Sequence, residues 1–295
     1  MPTSKPYAAR GIGPMLISKK EIERLSADVR RIIDGQSVDL RDNLEGRLSI
    51  LKNDIHTLAG SLNEQASNLQ REKSAMAETL ADISHQLKTP LTAMMVMTEL
   101  LENAPPDKAA EFIQNLKRGL AQTGWLVNAL LKMAKLESGS VVFSRTEVTA
   151  GELLELALQP LQILLDIKDQ RVEWANGTPY GEVRFLCDKN WTAEALTNII
   201  KNASEHSPEG STITVDAGAN PLCKWLSVTD TGKGIPYTEI KGLFQRFGGT
   251  FKKQGTGIGL PLALAILRGQ NGDIEVDGGS PSDGKGASFM LRFFV

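Results

Sequence analysis

Apolar residues recur at alternating steps of three and four through Leu48, Leu51, Ile55, Leu58 and Leu62, and Leu69 keeps the same register. A stripe of this length on one helix face calls for parallel helices alongside it. Met76, Leu80, Ile83 and Leu87 continue in a shifted phase, as a four-residue stutter produces. The pattern ends at Asn103-Ala104-Pro105-Pro106-Asp107, because proline cannot continue a helix interior. A second amphipathic helix is expected from Lys108 to Leu136, with Phe112, Leu116, Leu120, Val127 and Leu131 on one face. Two long helices joined by a short loop make an antiparallel hairpin. An uncovered apolar stripe on each predicts that two hairpins pair as a four-helix dimer.

Upstream, residues 1–17 read as a disordered leader. Ser18 to Ile33 has helical periodicity through Ile22, Leu25, Val29 and Ile32, stopped at Asp34-Gly35-Gln36-Ser37. An extended stretch around Val38 and Leu40 precedes a helix expected from near Asn43. Glu137-Ser138-Gly139-Ser140 closes the hairpin, and from Val141 the pattern becomes mixed α and β. Thr212–Val215, Trp225–Val228 and Ser288–Val295 read as strands, with helices at about 150–166, 190–206 and 259–270. A sheet covered by helices on one face is the expected architecture. The organisation is therefore a leader at 1–17, relay helices at 18–72, a hairpin at 73–140 and an α/β domain at 141–295.

Composition narrows the function. A net charge of -2 gives no electrostatic basis for binding nucleic acid or an acidic membrane surface. Cys187 and Cys223 form no CxxC and read as reduced, buried thiols. No run approaches the ~18 apolar residues of a membrane span, and Met1 to Lys20 holds no secretory apolar region. The chain as given reads as soluble and cytoplasmic.

Four motifs follow one another along the sequence. His85 lies in Asp82-Ile83-Ser84-His85-Gln86-Leu87-Lys88-Thr89-Pro90-Leu91-Thr92, on the long helix. Histidine suits phosphoryl acceptance because an unperturbed imidazole, with a pKa of about 6.5, has one ring nitrogen free near neutral pH, and Pro90 is expected to kink the helix beside it. Asn198 and Asn202 are one helical turn apart and share a face. Asp230-Thr231-Gly232-Lys233-Gly234 offers a carboxylate acceptor next to small residues. Gly255-Thr256-Gly257-Ile258-Gly259-Leu260 opens a helix, and backbone N–H groups in such a loop make an anion site. Its GxGxG spacing, with no βαβ unit before it, does not fit a Rossmann fingerprint.

In this order the motifs resemble the phosphoacceptor, asparagine and glycine boxes of the sensor histidine kinases of two-component signalling. The resemblance runs from about residue 75 to the C-terminus. It implies a Bergerat ATP-binding fold after the hairpin, with ATP and Mg2+ as cofactors. It also implies a homodimer and a response regulator receiver domain as partner. Helix, glycine-containing connector and helix, with Leu44-Glu45-Gly46-Arg47-Leu48 opening the second, resembles a HAMP relay domain. Most relatives are membrane-anchored, so a tether to the inner face of the plasma membrane, upstream of this chain, is an expectation.

The resemblance also implies roles for individual residues. His85 is the phosphorylated residue. Thr89 positions water for dephosphorylating the partner, or else bonds back to a helix carbonyl. Asn202 is the metal ligand, Asn198 lines the same wall, and Glu194 holds a metal-bound water. Asp230 recognises the adenine amine, with Gly232 and Gly234 allowing close approach. Phe247 belongs to the phenylalanine box Leu243-Phe244-Gln245-Arg246-Phe247. Gly248 to Gln254, with Lys252 and Lys253, is a short lid, and Gly255, Thr256, Gly257, Gly259 and Leu260 cradle phosphate. In Gly284-Lys285-Gly286-Ala287-Ser288-Phe289, Ser288 replaces a usual threonine and supplies a hydroxyl to support Asp230.

Two departures bear on mechanism. Gln86 stands where the family usually carries a carboxylate; an amide can orient His85 but cannot act as a base. Glu205-His206 stands where a basic residue and tyrosine are common, so phosphate contact is weakened and His206 takes the place of the ring near adenine. The function expected is autophosphorylation of His85 from Mg-ATP and transfer to a receiver aspartate. The alternatives are a phosphatase-biased or weak kinase of the same family, and an Hsp90- or MutL-type ATPase, which needs no histidine box.

Overall fold

The computed structural model describes residues 19–33, 36, 47–102, 104–175, 183–246, 257–279 and 286–294. The leader, the stretch around Val38 and Leu40, the Leu44–Gly46 part of the connector and the lid lie outside them. So do Phe247, Gly255 and Thr256. The chain divides into two compact units, Met1–Leu80 and Ala81–Val295.

In the first unit, helix α1 spans Lys19–Ile33. Helix α2 spans Arg47–Glu102, and within this unit Leu51, Leu58, Leu62, Leu69, Met76 and Leu80 of its seam are exposed.

In the second unit, the remainder of α2 and helix α3 (Pro106–Glu137) form the hairpin. Pro105 caps α3 in an extended conformation and a proline opens the helix, a position where its missing N–H costs nothing. Gly119 of α3 faces Met94 of α2, whose Cγ would lie 2.8 Å from an added Cβ. Leu126, Ala129 and Met133 are buried, whereas Leu91, Met95 and Leu100 of α2 and Leu120, Val127 and Leu131 of α3 are exposed.

The α/β part begins with β1 (Arg145–Thr149), paired antiparallel with β3 (Arg184–Asp188). Between them run α4 (Ala150–Leu158), a 3-10 turn at Gln159–Leu161, α5 (Gln162–Ile167) and β2 (Arg171–Trp174). The single helix expected over 150–166 is thus two helices. Pro160 provides no N–H for a continuing α-helix. Then come α6 (Lys189–His206), β4 (Thr212–Ala219), β5 (Cys223–Thr229), α7 (Tyr237–Ile240), α8 (Gly259–Gly269), β6 (Gly272–Asp277) and β7 (Ser288–Phe294). The main sheet has the order β2-β4-β5-β7-β6. Only β2 and β4 run parallel; the other neighbours are antiparallel.

Alternation explains the layering. Ile213, Val215 and Ala217 of β4, and Phe289, Leu291 and Phe293 of β7, point to one buried face. They share a cluster with Leu196, Ile199 and Ile200 of α6, Leu262 and Ile266 of α8, and Leu153 of α4. Burying each such side chain contributes about 1.5–3 kcal/mol. Leu126 and Met133 of α3 belong to the same cluster, so the end of the hairpin and the sheet domain share a core. Both cysteines are free and buried.

Candidate functional site

His85 is exposed on α2, with Ile83 and Leu87 on either side of it half-buried against the core cluster. That anchoring leaves the imidazole facing solvent. Gln86 is half-buried. The helix stays helical through Pro90, whose missing N–H deprives the Gln86 carbonyl of its usual partner. Thr89 Oγ1 donates to the His85 carbonyl at 3.2 Å. The hydroxyl proton is therefore directed back to the helix, and its oxygen keeps its acceptor lone pairs.

Helix α6 begins where Asp188 accepts from the N–H groups of Asn190 and Trp191, both at 3.1 Å. Asn198 is buried; its Nδ2 donates to the Glu194 carbonyl at 3.0 Å. Its Oδ1 lies 3.2 Å from where a Cβ on Gly259 would sit, so the first turn of α8 closes onto the asparagine face. Asn202 is half-buried, and among the described residues its amide makes no side-chain hydrogen bond. Helix α8 starts at Gly259 with no side-chain cap, leaving its first N–H groups for another acceptor. Gly257 just before it has φ +67, while Leu260 is turned into the core.

Asp230 follows the end of β5 and is 3% exposed. Its Oδ1 accepts from Gly232 N–H at 2.8 Å and Ala287 N–H at 3.0 Å. Burial pushes its pKa up, and the two backbone donors, with the nearby His206, pull against that shift. A Cβ on Gly286 would collide with Asp230 Oδ1, so a side chain there is incompatible with this arrangement. Gly234, φ +71, turns the chain away beside Gly278.

Ser288 does not support Asp230. Its hydroxyl accepts from Thr229 Oγ1 at 2.9 Å, across the β5–β7 pair in which Thr229 and Ser288 are partners. That cross-strand position aims the side chain along the sheet surface, and backbone N–H groups hold the carboxylate instead. Gly286 and Ala287 were therefore the missed members of the site. The glycine box drew attention to their segment, but a backbone donor leaves no residue-type signature.

Glu194, expected to hold a metal-bound water, is engaged by the hairpin. Its Oε1 lies 2.8 Å from Lys132 Nζ of α3. Lys201, next to Asn202, lies over the Trp125 ring of α3 at 4.6 Å and 3.9 Å from Glu205. Arg246 pairs with Glu137 at the end of α3. His206, half-buried, ends α6 with its carbonyl against Gly232. The structure thus sets Gly259 against Asn198 midway along α6, sets Gly232 and Asp230 against His206 at its end, and turns Glu194 and Lys201 toward the hairpin.

An exposed histidine on a helical hairpin, followed by a sheet domain with this wall, defines a phosphoacceptor hairpin joined to an ATP-binding domain. Residues 75–139 match the His Kinase A (phospho-acceptor) domain, and residues 187–295 match the histidine kinase-, DNA gyrase B- and HSP90-like ATPase family. The chain is similar to the sensor histidine kinase WalK of Bacillus subtilis, 31% identical over 224 residues, covering 72% of this chain and 36% of that protein. It is similar to the sensor protein CreC of Escherichia coli, 28% identical over 276 residues, covering 90% and 54%. It spans about half or less of the length of these relatives. The fold is shared with histidine kinase ThkA, solved in complex with response regulator protein TrrA, at TM-score 0.62 and 19% identity over 79% of this chain and 65% of that one. The chain belongs to the sensor histidine kinases of two-component systems.

Proposed function

We propose that this chain autophosphorylates His85 from Mg-ATP and passes the phosphoryl group to an aspartate of a response regulator receiver domain. The observation that carries this reading is the presence, in one unit, of an exposed His85, of Gly259 against Asn198 on α6, and of a buried Asp230 held beside the end of the same helix. A buried carboxyl group whose Oδ1 is fixed by two N–H groups is suited, in its ionised form, to accept a hydrogen bond from the adenine amine. Guanine offers a carbonyl at that position, so the site favours ATP over GTP. The glycine-opened start of α8 offers N–H groups to phosphate oxygens.

The donor chemistry of the asparagine face fits magnesium, which takes oxygen ligands and bridges nucleotide phosphates. Asn202 would hold it through a neutral carboxamide oxygen, and the ion would neutralise charge on the triphosphate. Among the described residues no three His, Cys, Asp or Glu side chains gather into a separate metal site. An imidazole nitrogen of His85 forms the N–P bond as the bond to the ADP oxygen breaks. Gln86 cannot take the ring proton, which passes to solvent or to phosphate oxygen. Positioning and charge neutralisation therefore carry the rate.

The exposed apolar positions of α2 and α3 support a homodimer through the hairpin, and α1 with the start of α2 supports a HAMP-type relay upstream. Among the described residues no helix is long and apolar enough to cross a membrane. Gln86 favours a second reading, in which kinase activity is weak and dephosphorylation of the regulator dominates. Intact-mass analysis at neutral pH after incubation with Mg-ATP tests the proposal. One added phosphoryl group per chain, mapped to the His85 segment, supports it; an unmodified chain that hydrolyses ATP points to a plain ATPase.

A further inference from the structure

The two ends of α6 are each held by a buried glutamine, and the two are not equivalent. At the start, Gln270 Oε1 accepts from Asp188 N–H at 2.6 Å, and Nε2 donates to Thr192 Oγ1 at 3.2 Å. At the end, Gln170 lies between α5 and β2 and is 5% exposed. Its Nε2 donates to the carbonyls of Pro208 at 2.9 Å and of Ser204 and Ser207 at 3.2 Å. Its Oε1 accepts from Ser204 Oγ at 2.6 Å. Lys168 adds a bond to the Ser204 carbonyl at 2.7 Å. A helix C-terminus leaves carbonyls without intrahelical partners. Here the side chain of a residue 34 positions away collects one of them and two from the turn beyond.

The same turn faces the nucleotide wall on its other side. Ser207 Oγ accepts from Thr231 N–H at 3.3 Å, and the His206 carbonyl lies 2.6 Å from where a Cβ on Gly232 would sit. Gly232 N–H in turn donates to Asp230 Oδ1. One covalent turn thus separates the carbonyls that Gln170 holds from the backbone that aims the Asp230 carboxylate.

We propose that Gln170 is a positioning residue for nucleotide binding: by fixing where α6 ends, it sets the Asp230–Gly232 turn relative to Asn198 and Asn202. An apolar residue of similar shape would fill the space but strip the Ser207 carbonyl of its donor and leave those of Ser204 and Pro208 to Lys168 and the Ser211 hydroxyl alone, and the turn would shift toward water to compensate. Gln270 bears on the far end of α6, and its partners, Asp188, Thr192 and the Ile266 carbonyl late in α8, lie away from the Asp230–Gly232 turn.

The inference rests on the nucleotide site proposed above, and the test separates the two. ADP affinity and melting temperature are measured on the full chain for wild type, Gln170→Met and Gln270→Met. Both variants melt lower. Gln170→Met weakens ADP binding by about tenfold, whereas Gln270→Met stays within about twofold of wild type. Should Gln170→Met fail to fold, Ser204→Ala removes one bond of the same junction and weakens ADP about threefold. Wild type that binds no ADP overturns the nucleotide site and the inference together. Wild type that binds while Gln170→Met (or Ser204→Ala in its place) matches it, or while both glutamine variants lose affinity equally, overturns the inference alone and makes Gln170 a stability residue.

Discussion

Lys132 of α3 and Glu194 of α6 form an ion pair at 2.8 Å, tying the hairpin to the helix that carries Asn198 and Asn202. Their side chains retain 39% and 30% of their exposure, so the pair contributes no more than about 1 kcal/mol. Lys132→Met should release this end of α6 from the hairpin and raise the initial rate of autophosphorylation about two- to fivefold. Exchanging the charges, Lys132→Glu with Glu194→Lys, should restore the wild-type rate. Initial-rate assays over a salt series check both. A rate unchanged in Lys132→Met would limit the pair to packing.

Asp230 links stability to ligand binding through pH. A carboxyl whose pKa is raised by burial stabilises the fold while protonated. That contribution is lost as pH rises from the ordinary carboxylate range through the raised value. Burial disfavours the charged form of Asp230, so Asp230→Asn should raise the melting temperature without nucleotide. The same change should weaken ATP binding by about tenfold or more. Wild-type affinity should fall on acidification at a pH above the usual carboxylate range, and the Asn variant should lack that fall. Calorimetric melting and binding titrations from pH 7 downward check the pair of effects.

Gly286 leaves no room for a Cβ beside Asp230 Oδ1 and the Gly232 N–H. Gly286→Ala should displace the carboxylate and abolish measurable ADP binding at concentrations about a hundredfold above the wild-type dissociation constant. Circular dichroism should still show the sheet, since the substitution lies just outside β7. Retained binding would mean that the two backbone donors to Asp230 are dispensable.

Gln86→Glu introduces a base next to His85. It should raise the autophosphorylation rate by about tenfold, within the range of general-base contributions, or shift its pH profile. Neither change would mean that proton removal from His85 does not limit the wild-type reaction.

The long helices were legible because a three-four period over dozens of residues outweighs local noise. The ends of α6 and α8 were read to within about one residue for the same reason, with apolar faces bounded by Asp188 and Gly259. Strands β1, β2, β3 and β6 were not named individually. They are four to six residues long, and β2 buries none of its residues fully. Asp230 stood out because its Asp-x-Gly-x-Gly sequence, a common turn in isolation, follows Asn198 and Asn202 in the order of the family's boxes. Its supports did not: Ser288 looked like the partner by chemistry, but the β5–β7 register gives its hydroxyl to Thr229. The Lys132–Glu194 pair and the Gln170 junction join positions far apart in sequence, where no local pattern points to a partner.

The central claim is that His85 accepts phosphate from ATP held by the α6–α8 wall. Incubation of wild type, His85→Ala and Asn202→Ala with γ-labelled Mg-ATP tests it directly. The prediction is acid-labile, alkali-stable label on wild type and none on either variant. Label persisting on His85→Ala, or none on a wild type that binds ATP, would contradict it.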